Sequence, residues 1–336
     1  MGRVASSRFW PRKSPNDDWQ SLESGRFKMA GASKSADRNG VPSEREAMLR
    51  HLIITGASGF LGGELVTQAR RLCPAARITP LLSPRQGGID LTDPSSAERL
   101  STAILLDEPA STALIHAAAV VRPAADSLAN ETMAARLARW AQSAGIGFSV
   151  MVSSVSVYTP LLARTSVDSS TQPATAYGVD KLNGERAWQR TLPAEKRAIV
   201  RLAGVWGWQR RPTLFWNQLL LAAARESPPE RPPIVLRKRS RRNYISVFEA
   251  AECLIQLALT RREGIFLAAG RNPTDTESFV HSVQQLPGSR LVVEWKDDGD
   301  CDECLYSFSP EIAPWLQPFE NALSATWAAK PGWLLE

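Results

Sequence analysis

The chain has 336 residues, 43% hydrophobic and 22% charged, which is enough apolar material to bury a sizeable core. A formal net charge of +6 suits an anionic small-molecule ligand without requiring nucleic acid, and no apolar run approaches the roughly 20 residues of a membrane span. Four cysteines, Cys73, Cys253, Cys301 and Cys304, are scattered without an extracellular disulfide framework, so a cytoplasmic location is expected.

Residues 1–47 mix Arg, Lys, Ser, Gly and Asp with little periodicity and lack the apolar centre of a secretory signal. Asp17, Asp18 and Glu23 argue against a transit peptide. The segment reads as a disordered leader, with the folded chain starting at Met48.

His51 to Thr55 is a short apolar run with β-branched residues, the pattern of a fully buried strand. It breaks into Gly56-Ala57-Ser58-Gly59-Phe60-Leu61-Gly62, and a helical pattern continues from Glu64 to Leu72. Such a turn leaves backbone N–H groups at a positive helix terminus, where a dinucleotide pyrophosphate can be held. Gly56 would make the tight turn, Gly59 would let the backbone approach phosphate, and Gly62 would let helix and strand pack closely.

The alternation continues with a strand over Arg77–Leu82 and a helix opened by Asp93 as N-cap and Pro94 at its first position, running towards Leu105. Ala113–His116 is a third strand, followed by Ala117, Ala118 and Ala119, whose small side chains leave room for something flat. A long helix from about Ala124 to Ser143 ends at Gly145. Then come a strand over Phe148–Ser153, a helix over Ala176–Arg190 and a strand over Ala198–Leu202. This βαβ rhythm predicts an α/β fold, a Rossmann-like doubly wound parallel sheet with ligands at the carboxyl ends of its strands.

Two of those ends carry chemistry. One strand delivers the Ser154 hydroxyl, and the helix near Ala176 carries Tyr177 and Lys181, four apart and therefore on one face. A nearby ammonium, together with the positive ring of a nicotinamide, would favour the phenolate and lower the phenol's pKa from about 10. Tyr177 could then exchange a proton with a substrate oxygen that Ser154 holds.

Beyond Leu202 the chain is richer in Trp, Arg and Pro. Residues 48–205 are expected to form the NAD(P)-binding domain, with 243–268 returning to its sheet as strand, helix and strand. Residues 206–242 and 269–336 would form a smaller substrate-binding lobe. The run Arg237-Lys238-Arg239-Ser240-Arg241-Arg242 reads as a solvated loop with one or two arginines turned to an anionic substrate, not as a nucleic-acid patch. Cys301 and Cys304 form a single CxxC among acids, and without a second ligand pair no metal is expected. His116 lacks a partner carboxylate in its motif and reads as a packed or backbone-bonded residue.

From Met48 onward the chain resembles the extended short-chain dehydrogenase/reductase family, in its NAD-dependent epimerase/dehydratase branch. The resemblance rests on TGASGFLGG at 55–63, Asp90-Leu91, LIHAAA at 114–119, SSVSVY at 153–158, YGVDK at 177–181, RLAGVWG at 201–207 and RRNYISV at 241–247. It implies Tyr177 as acid/base, Lys181 as its pKa partner and ribose ligand, and Ser154 as donor to the substrate oxygen. By the same resemblance the glycine loop from Gly56 to Gly62, including Ser58, Phe60 and Leu61, with Asp90, Leu91 and Ala117 to Ala119, lines an NAD or NADP site. Arg242 matches an arginine that contacts the substrate pyrophosphate in nucleotide-sugar members, and a homodimer through the helices near 124–143 and 176–190 is implied.

The departures from that pattern narrow the chemistry. Val155 and Ser156 stand where 4,6-dehydratases resembling this fold carry an Asp-Glu pair, which argues against dehydration and leaves redox at one carbon. Gly204 replaces an asparagine that binds substrate in nucleotide-sugar enzymes. No acidic residue stands in Leu82-Ser83-Pro84-Arg85 to accept ribose hydroxyls, and Arg85 could meet a 2′-phosphate, so NADP is favoured over NAD. The reading is an NAD(P)-dependent epimerase or reductase of a secondary alcohol or ketone, most readily of a nucleotide sugar. The alternatives are an NADPH-dependent reductase of a non-sugar carbonyl and a non-catalytic NAD(P)-binding sensor or scaffold. Retention of Ser154, Tyr177 and Lys181 together favours an enzyme.

Overall fold

The computed structural model describes residues 49–121, 127–159, 164–210, 212, 214–225, 233–236, 240–296 and 302–334. The leader at 1–47, Arg237 to Arg239 of the basic run, and Cys301 of the CxxC with Asp298 and Asp300 beside it lie outside the described residues.

The chain opens with β1 (His51–Thr55), α1 (Phe60–Leu72), β2 (Arg77–Leu81), α2 (Ser96–Ala103), β3 (Thr112–His116), α3 (Ala129–Ser143) and β4 (Phe148–Ser154). It continues through β5 (Arg164–Thr165), α4 (Ala176–Thr191), β6 (Arg197–Leu202), β7 (Val205–Trp206), α5 (Phe215–Ala224), β8 (Ile234–Leu236) and β9 (Ser240–Arg242). The last part is β10 (Ile245–Ser246), α6 (Val247–Leu259), β11 (Gly264–Ala268), β12 (Thr274–Asp275), α7 (Thr276–Gln284), β13 (Val293–Trp295), β14 (Asp302–Tyr306) and α8 (Phe319–Ala328).

Six strands form one parallel sheet in the order β2-β1-β3-β4-β6-β11. Both faces are covered, so β1 and β3 are buried along their whole length. Side chains alternate across the sheet with the period of two that a strand imposes. Leu52 and Ile54 join one core with Leu65, Ala69 and Leu254 from α1 and α6, and Ile53 joins the other with Leu100, Leu137 and Trp188 from α2, α3 and α4. The chain leaves β1 for β2 on one side and returns past it to β3 on the other, which places a topological switch point between the ends of β1 and β3.

The order of elements follows the sequence, with three corrections. Helix α2 starts at Ser96, because the Asp93 carboxylate binds the amide and hydroxyl of Ser95 (2.8 and 2.7 Å) and closes a turn in front of the helix. Helix α3 starts at Ala129, with Ser127 and Leu128 outside it. It does stop at Gly145, whose φ of 71° and the bonds Gly145 N–H to Gln142 O and Ile146 N–H to Ala141 O form a Schellman end. Of the returning segment, β11 joins the main sheet beside β6, whereas β10 pairs with β7 in a separate two-stranded ladder.

Elements β7, α5, β8, α7, β13 and α8 gather around an aromatic cluster in which Trp206, Trp216, Phe279 and Phe319 are buried and the Trp216 and Phe279 rings stack at 4.1 Å. A four-stranded sheet, β12-β9-β14-β5, carries Arg242 and Cys304 on neighbouring strands.

Candidate active site

The site is built on the carboxyl ends of β1, β3, β4 and β6. Gly56 has φ of 71°, and a Cβ there would lie 2.6 Å from the Ala118 amide nitrogen, so both backbone conformation and close approach to the β3 exit demand glycine. A Cβ on Gly62 would lie 1.9 Å from the Gly56 carbonyl oxygen, so this glycine seats α1 on the loop. Gly59 is exposed and is the N-cap of α1 with no side-chain cap, and the first turn holds no acid. The first amides of α1 are therefore uncovered by side chains at the positive end of the helix, a form that suits a pyrophosphate.

The other cofactor-side residues surround this loop. The Ser58 hydroxyl accepts the Ser83 amide (3.0 Å) and ties the loop to the end of β2, where Arg85 is exposed in the turn Pro84–Gln86. Asp90 is half-buried and folds its carboxylate onto the amide and hydroxyl of Thr92 (2.8 and 2.7 Å). Leu91 is packed in the core beside Ile53 and Leu100, and Leu61 packs against the opposite core, so their backbones rather than their side chains are available to a ligand. The Ala118 amide donates to the Thr55 hydroxyl (3.2 Å), which is itself bonded to His116 Nδ1 (2.8 Å). His116 is buried, stacks on Trp188 at 5.8 Å and is pushed down to about pKa 3 by burial and by the Lys181 charge. It is a packed, neutral residue bonded to a side chain rather than to the backbone.

Helix α4 is started by Thr175, whose hydroxyl accepts the Gly178 amide at 3.0 Å. It brings Tyr177 to Ser154, and that hydroxyl pulls the phenol's pKa down, but burial outweighs it and leaves the phenol above its ordinary value. The sequence led us to expect a phenol lowered by the Lys181 ammonium together with the positive ring of a bound nicotinamide. In the chain alone Lys181 Nζ donates to the Val152 carbonyl (2.5 Å), where it is 2% exposed and held down to about pKa 8 by burial, against the upward pull of Glu185 and Asp180. The Ser154 oxygen accepts the Ser156 amide, and its proton is directed to the Ser156 hydroxyl, each at 3.1 Å.

Beneath these residues is a polar layer that the sequence reading missed. Asp180 is 1% exposed and accepts the Asn130 amide, the Asn130 side-chain amide and the Glu131 amide (2.9, 2.8 and 2.8 Å), so it caps α3 from the neighbouring helix. Asn130 also pairs in both directions with the backbone of Val120, just past Ala119. Glu185, also 1% exposed, binds Arg201 at 2.8 Å and accepts the Ser153 hydroxyl. Arg201 reaches on to the Tyr158 hydroxyl (3.1 Å).

On the substrate side, a Cβ at Gly204 would lie 2.6 Å from the ring of Tyr244, so that ring fills the space a side chain at 204 would need. Arg242 is half-buried on β9 and donates to the Arg241 carbonyl (2.9 Å). The Cys304 thiol on β14 lies 3.3 Å from the Tyr306 hydroxyl.

A parallel doubly wound sheet covered by helices, with a glycine loop at its switch point, defines a Rossmann-like α/β protein. Residues 50–283 match the RmlD substrate binding domain family, and the chain belongs to that family. Comparison with curated proteins gives no match. Among solved structures the chain is similar to dTDP-4-dehydrorhamnose reductase from Bacillus anthracis in complex with NADP, at 18% identity and a TM-score of 0.68, covering 84% of this chain and 100% of that one. It is also similar to UDP-glucuronic acid 4-epimerase from Bacillus cereus in complex with NAD, at 15% identity and 0.64, covering 84% and 99%. A third similar structure is MoeE5 in complex with UDP-glucose and NAD, at 20% identity and 0.63, covering 83% and 97%. These likenesses establish the fold. Among the described residues no helix is long and apolar enough to cross a membrane.

Proposed function

We propose that this chain is an NAD(P)-dependent oxidoreductase that reduces a ketone, or reversibly oxidises a secondary alcohol, on a nucleotide sugar. The observation that carries the reading is the joint placement of Ser154, Tyr177 and Lys181 at the carboxyl end of β4 in a chain of the RmlD substrate binding domain family. The glycine loop, Ala117 to Ala119 and Asp90 would hold the dinucleotide, and Arg85 at the end of β2 favours NADP over NAD. Bound nicotinamide supplies or accepts a hydride. The substrate oxygen would accept the Ser154 hydrogen bond now directed at Ser156, and the Tyr177 phenol would give up or recover the one proton transferred at that same oxygen. Lys181 acts from below as a positive charge that favours the phenolate. The reductase sense is preferred to a 4-epimerase cycle on the likeness to dTDP-4-dehydrorhamnose reductase in complex with NADP. The homodimer and the division into cofactor and substrate lobes belong to the same proposal.

A second reading rests on Tyr244. Its ring occupies the space beside Gly204, which favours a carbonyl substrate that places no sugar ring there.

The test is direct. Purified protein is denatured and its released nucleotide identified by mass spectrometry, then fresh protein is assayed for NADPH oxidation with a nucleotide 4-keto sugar and with simple ketones. Turnover of the first supports the main reading, turnover of the second alone supports the other, and failure to bind either nucleotide overturns both.

A further inference from the structure

Tyr177, Lys181 and Glu185 follow one another at four-residue intervals, so they stack along one face of α4. That face lies on β4, and two of its side chains grip consecutive residues of the strand. Lys181 donates to the Val152 carbonyl, and Glu185 accepts the hydroxyl of Ser153, the residue before Ser154. Glu185 is in turn held by Arg201 Nη2 (2.8 Å) and Nε (3.1 Å), and Arg201 by the Tyr158 hydroxyl and the Val167 carbonyl (3.3 Å). A buried ion pair is often no net gain in stability over well-packed apolar residues of similar volume.

The electrostatics around Lys181 come from several elements. On α4 itself Asp180 and Glu185 favour the ammonium, with Glu185 the larger influence. His116 on β3 is neutral, and the Asp180 carboxylate is already engaged by three N–H groups of Asn130 and Glu131. Arg201 on β6 is bound to Glu185. Glu185 is thus the larger carboxylate influence on a lysine that burial drives towards neutrality.

We propose that Glu185, clamped by Arg201, is a positioning residue that keeps Lys181 charged and fixes the Ser153-Ser154 end of β4 against α4. The proposal rests on the reading of Ser154, Tyr177 and Lys181 as the reacting set.

The test uses the full chain with 15N-labelled lysine, in which the Lys181 ammonium titration is followed by NMR and assigned by its absence in Lys181→Met. Glu185→Gln is expected to lower the Lys181 midpoint by about one pH unit or more. Glu185→Asp should restore most of it. With NADPH and an accepted ketone, Glu185→Gln should reduce kcat about tenfold or more with KM changed less than about twofold. Ser153→Ala, which keeps the carboxylate, should lower kcat without moving the Lys181 midpoint. If Glu185→Gln does not fold, the Glu185→Gln/Arg201→Met pair removes both charges and should still lower the midpoint. An unmoved midpoint in whichever of these variants folds overturns the proposal. If the wild-type chain turns over no substrate, the functional reading fails, while the titration still decides the role of Glu185.

Discussion

Gly178 on α4 lies directly on Ser156. A Cβ there would be 2.2 Å from the Ser156 carbonyl oxygen. The residue after Tyr177 has to be glycine for the first turn of the helix to come down onto the strand end that carries Ser154. Alanine would be the better helix former by about 1 kcal/mol, but the clash is with backbone and outweighs it. Gly178→Ala is therefore expected to lower the unfolding temperature and to abolish most turnover. Gly63→Ala in α1 is the control, since its Cβ would make an ordinary 3.7 Å contact and should be neutral or slightly stabilising. Thermal melts and initial rates of the two variants check this.

Tyr177→Phe removes the hydroxyl that Ser154 faces and nothing else. Nucleotide affinity, measured by calorimetry, should stay within about twofold, and kcat should fall by about two to four orders of magnitude, the usual share of a proton-transfer group. Full activity in this variant would remove the phenol from the mechanism.

Cofactor choice rests on a residue that the fold leaves in the open. Arg85 is exposed in the turn after β2, and Ser83 beside it is tied to the glycine loop through Ser58. Arg85→Glu should weaken NADPH binding about tenfold or more while leaving or improving NADH. Parallel titrations with the two nucleotides decide it.

Much of this architecture is legible in the sequence because it is local. The β1 run, the glycines at 56, 59 and 62, and the four-residue spacing of Tyr177 and Lys181 each express a period or a turn within a few residues. What stays hidden joins distant residues. Asp180 caps a helix that begins fifty residues earlier in the chain, and Arg201 finds Glu185 across a strand and a helix. Glu185 did leave a trace, since it continues the spacing of Tyr177 and Lys181 by one more turn. Asp93 and Pro94 looked like a helix start and instead closed a turn, because Ser95 offered the aspartate a nearer amide.

The Asp180 cap has a measurable worth. Its carboxylate satisfies two first-turn amides of α3 and the Asn130 side chain in a place water does not reach. Asp180→Ala leaves those donors unpaired, at a cost of about 1–3 kcal/mol. For a chain of this size that is a fall in Tm of several degrees. The loss should be accompanied by weaker nucleotide binding, because Asn130 holds Val120 just past the alanines of the cofactor side.

Acid should loosen the fold through His116. Its folded pKa is near 3, set by burial and the Lys181 charge, against an ordinary value of 6.5. Between those limits the unfolded chain binds a proton that the folded chain refuses, so stability is fully present above pH 6.5 and is lost as pH falls towards 3. The whole effect is on the order of 5 kcal/mol, or about 1.4 kcal/mol for each pH unit inside the window. Other carboxylates add their own slope at low pH, so the informative quantity is a difference. Urea unfolding of the wild type and of His116→Asn at several values from pH 7 to pH 4.5 should show the wild type losing stability more steeply, by close to one proton. Equal slopes would mean that the ring accepts its proton without leaving the Thr55 hydroxyl and the Trp188 face.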